Sequence, residues 1–139
     1  MTDPYDLQRF VDAQAANYRQ VGAELRDGCK RSHWIWFIFP QIAGLGQSAM
    51  SHRFAISSRA EALAYLAHPI LGPRLRECTS LVNDIEGRTA TQIFGSPDDL
   101  KFRSSMTLFA AATPDNAVFE EALRKYFGGI GDPLTLQRL

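Results

Sequence analysis

Lys30-Arg31-Ser32-His33-Trp34-Ile35-Trp36-Phe37-Ile38-Phe39-Pro40-Gln41 is the stretch on which the fold class turns. As a strand it would open a mixed α/β protein; as anything else it leaves a chain of helices. Trp34 to Phe39 does not alternate polar and apolar residues, and neither does Arg53 to Ile56, the other strand candidate. No rhythm of strands alternating with helices surrounds them. The expectation is an all-α fold: a compact multihelical orthogonal bundle of about six to seven helices in a single domain over residues 1–139. The whole segment from Cys29 to Ser57 is too long for a plain connection and too apolar to hang in water, so it is expected to pack across the bundle.

Outward from that segment the apolar spacing is helical. Leu7, Phe10, Val11, Tyr18, Val21 and Leu25 recur at three- and four-residue steps. They predict one helix of roughly twenty residues, started by Asp3 or Asp6 and stopped by Gly28. Ser58-Arg59-Ala60-Glu61 reads as a capping box, and Pro69 ends the helix it starts near His68. Leu71, Leu75, Cys78, Val82 and Ile85 form the next stripe, closed by Gly87. A short turn over Thr89 to Phe94 precedes Ser96-Pro97-Asp98-Asp99, read as a hydroxyl cap followed by proline and two acids on the positive end of a dipole. Thr113-Pro114 opens a helix ended by Gly128-Gly129, and Asp132-Pro133 caps a last short one.

The composition excludes several classes of protein. With 45% hydrophobic and 22% charged residues the chain is an ordinary globule, not a coiled coil, a collagen or a disordered tail. Fifteen basic residues balance fifteen acidic ones and the pI is about 6.8, so no net field exists to gather nucleic acid or an anionic membrane. Cys29 and Cys78 are too sparse for a disulfide scaffold and are read as reduced thiols, Cys78 on an apolar stripe. The acidic, polar start is not that of a signal peptide, and Trp34 to Pro40 is too short to cross a bilayer, so a cytoplasmic location is expected.

Three places could carry chemistry. The aromatic segment reads as the centre of the core, or as a pocket lining on which a flat ligand stacks against Trp34 or Trp36, with His33, Gln41 and Lys30 at the rim. Gly44-Leu45-Gly46-Gln47-Ser48-Ala49 fits a dinucleotide fingerprint in letters only, because Pro40 interrupts the strand it needs and no acid stands about twenty residues on. It remains a glycine turn able to offer amides and the Ser48 hydroxyl to an anion, or a loop needing positive φ. Lys101, Ser104 and Ser105 share a helix face with Asp98 one turn before them; the face is either solvated or a phosphate contact. His33, His52 and His68 form no zinc motif, and no nucleophile elbow is present. Glu61, Asp98, Asp99, Asp115 and Asp132 all stand where caps and first turns want them. His68 is read as a favourable charge at the end of its helix.

Ser32 to Gln41, Gly44-Leu45-Gly46 with Ser48, Glu61-Ala62, Tyr65-Leu66 and His68-Pro69 resemble a bacterial family named domain of unknown function 1810, sometimes labelled calpastatin-like. Ile93-Phe94-Gly95, Asp98, Lys101, Ser104-Ser105-Met106-Thr107-Leu108-Phe109, Asp132 and Thr135-Leu136 fit the same pattern, which spans nearly the whole chain. The resemblance implies a compact helical domain and brings no activity; nothing in the chain supports protease inhibition. One departure is Phe54, where the family commonly has tyrosine.

The functional expectation is a domain that binds a small flat anion, a nucleotide or derivative. Trp34 or Trp36 would stack on it, while Lys101, Ser104, Ser105, Gln41 and the Gly44, Gly46 and Ser48 loop would hold it. His33 is the candidate acid/base if the domain is an enzyme. No cofactor or metal is called for. The rival expectation is a protein-interaction module that presents the aromatic 34–39 segment, without catalysis; a structural subunit without a ligand is the third.

Overall fold

The computed structural model describes residues 2–139. Among the described residues there are ten helices and no named strand. In chain order they are α1 (Gln8–Ala15), α2 (Tyr18–Arg26), α3 (Ile35–Ile38), α4 (Ala49–Arg53), α5 (Arg59–Ala67), α6 (Leu71–Asn83), α7 (Ala90–Phe94), α8 (Asp98–Ala112), α9 (Ala117–Phe127) and α10 (Pro133–Gln137). Six of them run to eight residues or more, and the all-helical class is the one the apolar spacing predicts. The stretch that decides the fold class becomes one helical turn, α3, set in the core. Beyond it, the chain makes a single parallel bridge, Ile42 to Ile56, which closes the excursion that carries α4.

The predicted first helix is in fact two. Asn17 Nδ2 donates to the Ala13 carbonyl at 2.8 Å, taking the acceptor that its own amide would use in a continuous helix. The Asn17 amide turns to Gln14 O instead, and the axis breaks between α1 and α2. Asp3 is the start signal: its carboxylate accepts from the amides of Leu7 and Gln8 at 2.8 and 2.9 Å, which holds its pKa below the usual carboxylate range.

Other caps are shifted by a residue or a role. Ser58 Oγ accepts the Glu61 amide, but the Glu61 carboxylate reaches back to the amide and hydroxyl of Ser57 and pairs with Arg9. Ser96 does not cap α8. Pro97 stands at its N-cap with no side-chain bond, leaving Asp98 and Asp99 in the first turn. Thr89 and Gln92 form a reciprocal box at α7. His68 stands at the C-cap of α5, and its Nδ1 accepts the amides of Ile70 and Leu71, so its side chain serves the start of α6.

The long helix α8 is the axle of the fold, packed against α9, α5, α7, α10 and α3. From Ser104 to Ala110 every residue is buried, so α8 has no solvated face over that length. Around it run two connected sets of rings. Trp34, Phe39, Phe94 and Phe102 meet at centroid distances of 4.6–6.5 Å, and Phe10, Phe37, Phe54, Tyr65 and Phe109 at 5.1–5.6 Å. Such offset and edge-on pairs add about 0.5–1.5 kcal/mol each beyond the area they bury. Cys78 sits in this core, and burial pushes its thiol up to about 12. Cys29 and Cys78 are both free thiols.

Candidate functional site

Glu24 on α2 organises the approach to the aromatic segment. It is fully buried, and Oε1 accepts from the amides of Arg31 and Ser32 and from Trp34 Nε1 at 2.7–3.0 Å. Oε2 accepts from the Ser32 hydroxyl at 2.6 Å and Gln20 Nε2 at 2.9 Å. Burial alone would raise this carboxyl's pKa. The donors from Ser32, Arg31, Gln20 and Trp34 outweigh it and hold the group down to about 2. Trp34 is thereby locked edge-on into the core and cannot stack on a ligand.

Two lysines bracket one carboxylate beside it. Lys30 Nζ lies 2.8 Å from Asp98 Oδ2 and Lys101 Nζ 3.2 Å from Oδ1. Each ammonium also rests over an indole: Lys30 on Trp34 at 5.2 Å, Lys101 on Trp36 at 4.9 Å. The aromatic strip and the lysine-serine helix do meet, and the site carries one net positive charge from these three groups.

Next to Lys101 opens a cleft of about 350 Å³. One wall is the first half of α8, with Leu100, Lys101, Arg103 and Ser104. The other is Gln41, Leu45, Gly46 and Ser51 from the bridge-closed excursion, and Asp132 and Leu134 close the end. Leu100 and Leu134 are more than half exposed, so the cleft offers two uncovered apolar side chains beside its charged and polar ones. A smaller hollow of about 20 Å³ adjoins it, lined by Trp36, Gln41, Gly44, Gly46 and Phe54 among others, with room for about one water. Nε1 of Trp36 is buried and has no hydrogen-bond partner among the described residues.

Of the residues singled out from the sequence, Gln41, Gly46, Lys101 and Ser104 converge on the cleft, while Trp36 and Gly44 line the adjoining hollow. The others do not. His33 is exposed and lines neither space, so it is no acid/base for this cleft. Ser48 is spent as the N-cap of α4, accepting from the Ser51 amide at 3.1 Å. Ser105 is wholly buried and turned into the core, because one residue along a helix is about a 100° rotation away from Ser104. The glycine turn serves close packing: a Cβ at Gly46 would overlap Ser51 Oγ, and one at Gly44 would come within 2.5 Å of Arg138 Nη1. The rival surface fails too, since Trp34, Ile35, Phe37, Ile38 and Phe39 are buried and only Trp36 is partly exposed.

Ser51, Arg103 and Asp132 are the polar lining that the spacing did not pick out. Asp132 is the cap that Asp132-Pro133 predicts: Oδ2 accepts the Thr135 amide at 3.3 Å. The same oxygen also accepts the hydroxyls of Thr135 at 2.5 Å and Ser104 at 2.9 Å. Arg103 donates to the carbonyls of Ile130 and Gly131 at 3.0 and 3.1 Å, so it ties α8 to the approach of α10. Among the described residues no three His, Cys, Asp or Glu side chains gather to hold a metal ion, and no helix is long and apolar enough to cross a membrane.

No curated protein matches the chain. Among solved structures, the crystal structure of the conserved hypothetical protein Rv1873 from Mycobacterium tuberculosis superposes with a TM-score of 0.98 at 58% identity, over 99% of this chain and 98% of that one. The family described as protein of unknown function (DUF1810) matches residues 4–139, which takes in the aromatic strip, the lysine-serine helix and Asp132 together. The chain is a member of the DUF1810 family.

Proposed function

We propose that the domain binds a small anion with a flat, apolar body, of the size of a nucleotide, in the cleft beside Lys101. The observation that carries this reading is the convergence of Lys101, Arg103, Gln41, Ser51 and Ser104 on one open space beside two uncovered leucines. Its volume of about 350 Å³ falls within the range of small-molecule sites, about 300–1,000 Å³. The ammonium of Lys101 and the guanidinium of Arg103 supply the positive charge, and Leu45, Leu100 and Leu134 take the apolar body in place of an indole. The face of Trp36 is already occupied by Lys101, so the tryptophan reports on the site and does not clasp the ligand.

The test is a thermal-shift and tryptophan-fluorescence screen of nucleotides and smaller phosphates against the wild type and Lys101→Ala. Asp98 keeps its 2.8 Å partner Lys30 in that variant, so the fold is expected to hold. Losing one charge-assisted contact should weaken binding about 10- to 100-fold. Silence across the whole screen, or a response that Lys101→Ala leaves intact, overturns the reading.

A further inference from the structure

Resting on that reading, we infer that the ligand is a ribonucleoside 5′-phosphate and that Asp132 reads its ribose hydroxyls. The carboxylate of Asp132 is unusual in how it divides its work. Among the described residues Oδ2 takes every hydrogen bond made to the group, from the Thr135 hydroxyl, the Thr135 amide and the Ser104 hydroxyl, which it shares with the Leu100 carbonyl. These donors fix the plane of the carboxylate and leave Oδ1 without a partner among the described residues, on a residue that lines the cleft. An ionised carboxylate oxygen only accepts hydrogen bonds. In a cleft otherwise lined by Lys101 and Arg103 it repels a second anionic group and selects a donor.

The spacing then restricts the ligand. Ser104, which touches Asp132, is one turn from Lys101 on α8, a rise of roughly 5 Å. The ligand must therefore carry an anion and a hydroxyl donor a few bonds apart, with a flat apolar group on the Asp132 side to lie on Leu134. A phosphate, a pentose with free hydroxyls and a base meet all three demands in that order. A flat anion without hydroxyls meets only two.

Isothermal titration of the wild-type chain with the four ribonucleoside 5′-monophosphates and their 2′,3′-dideoxy counterparts tests this. At least one ribonucleotide should bind about tenfold or more tightly than its dideoxy form. Asp132→Asn sharpens the assignment. The Ser104 and Thr135 donors hold the amide oxygen where Oδ2 sits, which keeps the cap of α10 and turns the NH₂ to the cleft. That variant should lose the discrimination. Equal binding of ribo- and dideoxy-forms overturns the inference and leaves anion binding standing, as does discrimination that survives Asp132→Asn. Binding of smaller phosphates but of no nucleotide overturns the inference and the flat body of the proposed ligand with it, leaving an anion site at Lys101. No binding of any anion overturns both.

Discussion

Glu24→Ala is expected to cost about 3–5 kcal/mol of folding stability, which for a domain this size is a large share of the total. Five donors would lose their acceptor at once: the amides of Arg31 and Ser32, the Ser32 hydroxyl, Gln20 Nε2 and the Trp34 indole N–H. A buried donor left unpaired costs about 1–3 kcal/mol, and relaxation of the 31–34 segment recovers part of the sum. Glu24→Gln keeps the shape and one accepting oxygen, so a smaller loss is expected. Urea denaturation followed by near-ultraviolet circular dichroism measures both, and a loss under about 1 kcal/mol for the alanine variant would refute the role assigned to this carboxylate.

The same group imposes a pH dependence whose sign is determined. Its folded pKa is about 2, below the ordinary carboxylate value of 4.5. A depressed folded pKa stabilises the native state at every pH above the unfolded value, and that stabilisation drains away as pH falls from about 4.5 towards 2. Wild-type melting temperature should therefore fall across that window, with the Glu24→Gln curve flatter.

Gly72→Ala is the second large effect, with an expected loss of about 3 kcal/mol. A helical position usually gains about 1 kcal/mol from this exchange, so the expectation reverses the usual sign. The reason is the Leu66 backbone: a Cβ at Gly72 would overlap the Leu66 carbonyl oxygen, and its carbonyl carbon would lie only 2.9 Å away. Both partners are main chain, held by α5 on one side and α6 on the other, so neither can swing aside. Gly22→Ala in α2 is the control. There the new methyl meets only the end of the flexible Arg26 side chain at 3.0 Å, and stability should be unchanged or higher. Equal behaviour of the two variants would refute the close contact between α5 and α6.

How much of this was legible beforehand depends on the range of the interaction concerned. The stripe Leu71, Leu75, Cys78, Val82 is a three- and four-residue pattern, and α6 follows it. The break at Asn17 was hidden because its cause is one side-chain amide taking a carbonyl, which apolar spacing does not register. Within the candidate site, Lys101 and Gln41 could be paired by residue chemistry alone. Trp34 could not be assigned to core or cleft, because the group that claims it, Glu24, lies ten residues earlier on another helix. Ser104 and Ser105 are equivalent as letters. Both side chains are nearly covered, so which of the two meets the cleft is decided by what packs around α8 and not by their spacing along it. His33 was attractive for its neighbours in sequence, yet the chain turns its side chain outward immediately before Trp34 turns in.

The two walls of the cleft have unequal standing in the molecule. The α8 wall is continuous with the core, so a change there alters the whole protein. The wall from Gln41 to Ser51 hangs from the Ile42–Ile56 bridge and from Arg9, which donates to the carbonyls of Arg53 and Ala55 at 2.9 and 2.8 Å. Substitutions at the outward positions of the 41–51 wall should therefore alter the cleft at little cost to stability, provided Ile42, Gly44 and Gly46 are spared. In α8 the same aim would disturb the packing of the whole domain.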